Sequence, residues 1–75
     1  MSPEELHAAI LAAHEAEDGV RLAELYAMAA DQAEHAQDVD ATCFFLTQAY
    51  VFALDAGHET ASDLHRRLLA FGREE

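Results

Sequence analysis

The chain has 75 residues, 52% of them hydrophobic, with fifteen Asp and Glu against four Arg, no Lys and a formal net charge of −11. Such a charge repels nucleic-acid backbones and anionic lipid, which argues against direct binding to either. A chain this short makes one domain, residues 1–75, able to bury only about 60% of its unfolded surface. Its one Cys excludes an intrachain disulfide and fits a reducing compartment. The start "MSPEEL" is acidic where a secretory leader would be basic, and no run approaches the roughly 18 apolar residues of a membrane span. These features predict a soluble, cytoplasmic protein.

The first element opens at "SPEE", where Ser2 is a natural N-cap, Pro3 suits the first helical position and Glu5 completes a capping box. It runs over residues 3–17 and gathers Leu6, Ala9, Ile10 and Ala13 on one side. "EDGV" ends it, with Gly19 suited to a left-handed stop. The second, over residues 20–36, gathers Leu22, Leu25, Tyr26, Ala29, Ala33 and Ala36, opposite Glu24, Asp31 and His35. Both are ordinary amphipathic stripes at about 100° per residue.

"AQDVDA" offers Asp38 or Asp40 as the next cap. The third element, residues 39–56, holds the most hydrophobic stretch, "CFFLTQAYVFALDAG". Leu46, Ala49, Ala53, Phe45 and Phe52 line its centre, with Cys43, Tyr50 and Leu54 on a flank. Phe44 and Val51 project with Asp40, Thr47, Gln48 and Asp55 on a face that no other element is expected to cover. "DAGHETASD" ends this helix at Gly57 and sets up a second capping box, Thr60 with Asp63. The fourth, residues 59–72, gathers Ala61, Leu64, Leu68 and Phe71. Helical spacing, many Ala and short connections give an all-α reading, four helices as two antiparallel hairpins or a four-helix bundle.

"RLAELYAMA" carries Leu22, Ala23 and Tyr26, and "FLTQAYVFALDAGH" carries Leu46, Tyr50, Ala53 and Leu54. These resemble the first and second helices of a tetratricopeptide repeat, with "ETASDLHRRLLAF" in the place of the next first helix. The resemblance covers about Arg21 to Phe71, and an internal offset of 42 residues sets Leu22 on Leu64 and Tyr26 on Leu68. Ala23 replaces the usual glycine, no proline follows the second helix, and the period exceeds the usual ~34 residues. The resemblance implies a hairpin scaffold that binds a peptide or protein, with no catalytic residues. Solenoids need about three repeats to bury their surface, so a two-hairpin chain must close on itself or finish burying its third helix against another chain.

No chemistry competes with that reading. Glu4 and His7 have the Glu-x-x-His spacing of di-iron bundles, but the core stripes of helices two and three supply no further carboxylate. His7 with His14, and His58 with His65, stand seven residues apart. That separates them by about 10 Å along a helix, too far to share one zinc. His7, His14 and His65 fall on stripe borders, where a ring packs one face and wets the other. Cys43 reads as a small buried hydrophobe. Arg66, Arg67 and Arg73 suit a helix C-terminus, with Arg67 four residues after Asp63.

The sequence therefore predicts a non-catalytic protein-interaction module without metal or cofactor, expected to form a homodimer or to join a protein partner. Its contact face is Phe44, Thr47, Gln48 and Val51. The alternative is a small acidic inhibitor or nucleic-acid mimic that presents Glu15, Glu17, Asp18, Glu24, Asp31 and Glu34 to a basic groove.

Overall fold

In the computed structural model, which describes residues 1–72, the chain forms four helices and, among the described residues, no strand. They are α1 (Pro3–Glu15), α2 (Gly19–His35), α3 (Val39–Asp55) and α4 (Ala61–Ala70). Arg73, assigned to the basic end of the chain, lies outside the described residues.

Short polar side chains start these helices. Ser2 Oγ accepts the Glu5 backbone N–H at 3.1 Å, and the Ser2 N–H donates to the Glu5 carboxylate at 3.0 Å, the expected capping box. The Ser2 backbone donor, then its hydroxyl, hold the Glu5 carboxyl below its ordinary range. The support this lends α1 is complete above the ordinary carboxylate pKa and is lost as pH falls through the lowered value. Asp18 and Asp38 cap α2 and α3 by accepting the N–H groups of Arg21 at 3.1 Å and Ala41 at 3.0 Å. Thr60 does not cap α4. It lies in the helical region, and its hydroxyl meets His58 Nδ1 at 2.8 Å, so Asp63 has no box to complete.

One reversal is used three times. At Glu17, Gln37 and Gly57, 20 residues apart in sequence, φ is +53°, +60° and +65°. The next residue's N–H then returns to a carbonyl five residues back: Asp18 to Ala13, Asp38 to Ala33, His58 to Ala53. This Schellman geometry satisfies carbonyls that a helix end leaves orphaned. The expected left-handed stop at Gly19 is thus corrected. Asp18 must be the cap, so the left-handed residue falls one earlier, on Glu17, and Gly19 opens α2.

The closest pairing is α2 against α3, with Ala23 and Ala30 of α2 and Ala49 and Ala53 of α3 almost wholly buried in one cluster. Leu46 joins them, as do Leu64 and Leu68 of α4. A second cluster joins Leu6 and Ala13 of α1 to Leu22, Leu25 and Ala29 of α2. Tyr26, Phe45 and Phe52 pack against both clusters. Tyr26 lies parallel to Phe52 with ring centroids 5.8 Å apart, and His14 of α1 meets both rings edge-on. His14 Nε2 is also 2.9 Å from Tyr26 Oη. On the flank of α3 that carries Tyr50, α4 makes the contact, with His65 stacked on Tyr50 at 5.2 Å. Ala36, placed on the α2 stripe, is the exposed C-cap. The body is flat, 32 × 29 × 14 Å, with a radius of gyration of 11.7 Å.

The reversals give the first test. Gly57 has no heavy atom within 4 Å of where a Cβ would sit, so replacing it costs backbone strain alone. Gly57→Ala should lower stability by about 1 kcal/mol, and Gln37→Gly should raise it by a similar amount, in urea unfolding followed by circular dichroism.

Candidate protein-binding face

The α2–α3 pairing consumes one side of α3 and leaves the side opposite it in solvent. Phe44 is 57% exposed and Val51 46%. Thr47 is exposed and Gln48 half-buried. The face expected from the sequence is thus accessible, and a shallow depression lined by Asp40, Cys43, Phe44, Thr47 and Gln48 opens onto it. The Phe44 ring rests edge-on against Phe45 with centroids 5.4 Å apart. Phe45 turns inward, so one of two adjacent aromatics anchors the helix and the other is presented.

Leu54 belongs to this face, although the sequence pattern set it on a covered flank with Cys43 and Tyr50. It is 54% exposed, while Cys43 is buried and Tyr50 half-buried. α4 covers the Tyr50 side without reaching Leu54, one turn further along α3. Phe44, Thr47, Val51 and Leu54 alternate in steps of three and four residues, so they form one seam along the helix. The signal was present in the sequence as that spacing, masked by the apolar residues on either side of it. Thr47 Oγ1 donates to the Cys43 carbonyl at 2.8 Å. Its hydroxyl is already satisfied within the helix, so covering the seam would orphan no donor there.

The acidic residues are exposed, but several are already engaged. Arg67 crosses from α4 to α2 and meets Asp31 at 2.8 Å and Glu34 at 3.2 Å. The expected Arg67–Asp63 pair is therefore corrected: Arg66 takes Asp63 at 3.2 Å, which frees Arg67 to reach the neighbouring helix. Glu24 lies 3.6 Å from Arg21, and Asp18 serves as a cap. Glu15 and Glu17 stay on the surface at the α1–α2 turn.

Glu4 and His7 are both exposed on α1. Among the described residues no three His, Cys, Asp or Glu come together in a way that would hold a metal ion. An open apolar groove of about 320 Å³ runs between α1 and α2 under Phe45, and among the described residues His7 is the titratable one on its wall. Among the described residues no helix is long and apolar enough to cross a membrane. Compared with protein-family models, curated proteins and solved structures, the chain matches none.

Arg67 ties α4 to α2, whereas among the described residues Arg66 pairs within its own helix. Arg67→Ala should lower stability by about 1 kcal/mol and Arg66→Ala by less than about 0.5 kcal/mol in thermal unfolding at low salt, the difference shrinking at 1 M NaCl.

Proposed function

We propose that the chain is a non-catalytic protein-interaction module, built on helical hairpins of tetratricopeptide type, that self-associates through the outer face of α3. The observation that carries this is the exposed seam of Phe44, Thr47, Val51 and Leu54 on the most hydrophobic helix of the molecule. Isolated exposed apolar residues are common, but a contiguous row on one helix marks a contact surface. Kinship with the repeat is supported by burial of Leu22, Ala23, Leu46 and Ala53, four of the positions on which the resemblance rests. Two of the 20-residue steps between reversals make a hairpin of 40 residues, longer than the repeat's usual period of ~34 residues.

The acidic-mimic reading finds less support. Arg67 already pairs with both Asp31 and Glu34, and Arg21 stands beside Glu24, so a basic groove would have to displace these cations.

Phe44→Glu combined with Val51→Glu should leave the helices intact, because both side chains lie outside the core, and should convert the associated form into a monomer. Sedimentation equilibrium with circular dichroism on the same samples reads both. An unchanged mass in the double variant would count directly against the α3 face. Raising NaCl from 50 to 300 mM should not weaken self-association, since salt screens the repulsion of two chains of charge −11. Binding to a basic groove would instead collapse over that range.

A further inference from the structure

We infer that His58 is a pH-sensitive latch between α3 and α4: its neutral imidazole holds the start of α4, and a second proton on that ring releases the helix's first turn, residues 61–64.

Thr60 stands in the helical region and makes no side-chain cap, so α4 is started from two residues earlier. His58 Nδ1 accepts the Thr60 backbone N–H at 3.2 Å and lies 2.8 Å from Thr60 Oγ1. The His58 carbonyl accepts the Ala61 N–H at 3.2 Å, and the His58 N–H donates to the Ala53 carbonyl at 2.8 Å. One half-buried residue thus ends α3 and begins α4. Accepting from the backbone two residues on is the part Asn or Asp plays in an Asx turn. Unlike their amide or carboxylate oxygens, an imidazole nitrogen gives up its lone pair near neutral pH.

The contacts select a tautomer. A neutral imidazole has one N–H and one lone pair, whereas the charged ring donates from both nitrogens. Nδ1 receives the Thr60 N–H, so the lone pair is on Nδ1 and the proton on Nε2. A proton added at Nδ1 sets N–H against N–H. The Thr60 hydroxyl can rotate to accept it, but the Thr60 amide is left without its partner. The charge also arrives at the N-terminal end of α4, where the macrodipole is already positive.

The other histidines lack this constraint. His14 Nε2 meets Tyr26 Oη, which donates or accepts, so a charged ring keeps that bond. His65 stacks on Tyr50, and a cation over a phenol face is attracted. His7 and His35 are exposed.

The charged groups around this end of the molecule come from three helices and the turn. Asp55 closes α3 and Glu59 follows His58, both exposed. Asp63 of α4 is engaged by Arg66 at 3.2 Å. The start of α2, which Gly19 brings close to Ala56, carries Asp18 as a cap and Arg21 beside Glu24. Among the described residues none of these hydrogen-bonds the His58 ring. Asp55 and Glu59 stay beside His58 in sequence whether or not the turn is formed, so their attraction does not choose between the two states.

The support His58 lends α4 is complete above the range in which imidazoles charge, about pH 6.5, and is lost as pH falls through it. Leu68 in the core and Arg67 on Asp31 and Glu34 hold the far half of the helix, so the release is local.

Nitrogen-15 resonance of the ring and amide exchange read the latch in the full chain. At pH 8 the His58 ring should be the Nε2–H tautomer. The Leu64 amide donates to the Thr60 carbonyl, and its protection should fall about tenfold between pH 8 and 5.5 relative to that of Ala49. His58→Asn keeps an acceptor that does not titrate there, and should remove the fall while retaining protection at pH 8. His65→Phe should leave the fall in place. An Nδ1–H tautomer at pH 8, or Leu64 protection that does not change with pH, overturns the latch. A fall that persists in His58→Asn and vanishes in His65→Phe moves the response to the Tyr50 stack and overturns it equally. Should His58→Asn lose α4 at pH 8, the wild-type tautomer and the His65→Phe series still decide.

Discussion

The close approach of α2 and α3 across facing alanines is the constraint from which the rest of the molecule follows. Ala23 and Ala30 on one helix and Ala49 and Ala53 on the other leave no bulk between the backbones. Alanine contributes little apolar area per residue, so the contact gains its strength from dispersion at short range more than from volume buried. The larger side chains of α3 cannot enter that seam and are distributed around it. Phe45 and Phe52 turn to the α1 side and meet Tyr26, Tyr50 turns to α4 and meets His65, and Phe44, Val51 and Leu54 are left on the outside.

Tyr26 has the part that joins the two halves of the core. It packs against both buried clusters, lies parallel to Phe52, and takes a hydrogen bond with His14 at its rim. An aromatic with a polar tip suits a position where one edge is dry and the other meets solvent. The same division explains His14, exposed as a residue yet held between two rings. These histidines pack at borders as amphipathic side chains, the role that stripe geometry assigned to His14 and His65.

Much of the fold is legible in the sequence because its punctuation is chemical. Ser2 with Glu5, Asp38 and Gly57 mark helix ends through local hydrogen bonds that need no tertiary knowledge. The left-handed residue falls on Glu17 and not on Gly19, although glycine is the usual occupant, because the neighbouring aspartate caps α2. Contacts between helices were harder to read. Arg67 reaching α2, α4 covering Tyr50, and Leu54 left bare all depend on where one helix ends relative to the next, which periodicity within a helix does not encode. Phe44 and Val51 were legible as exposed because they fall among polar residues on the wheel, whereas Leu54 lies at the edge of the apolar arc.

The flatness of the body bears on how it comes apart. With 14 Å across its thin axis, no helix is enclosed on all sides, and α1 and α4 each join the molecule along one margin. Opening of either margin exposes few buried groups, so it costs a fraction of the global unfolding free energy. Amide protons of α1 and α4 then exchange through partial detachment, while those of the alanine-lined α2–α3 hairpin wait for the whole chain. The molecule behaves as a rigid central hairpin with two hinged leaves, and the bare seam of α3 rides on the part that opens last.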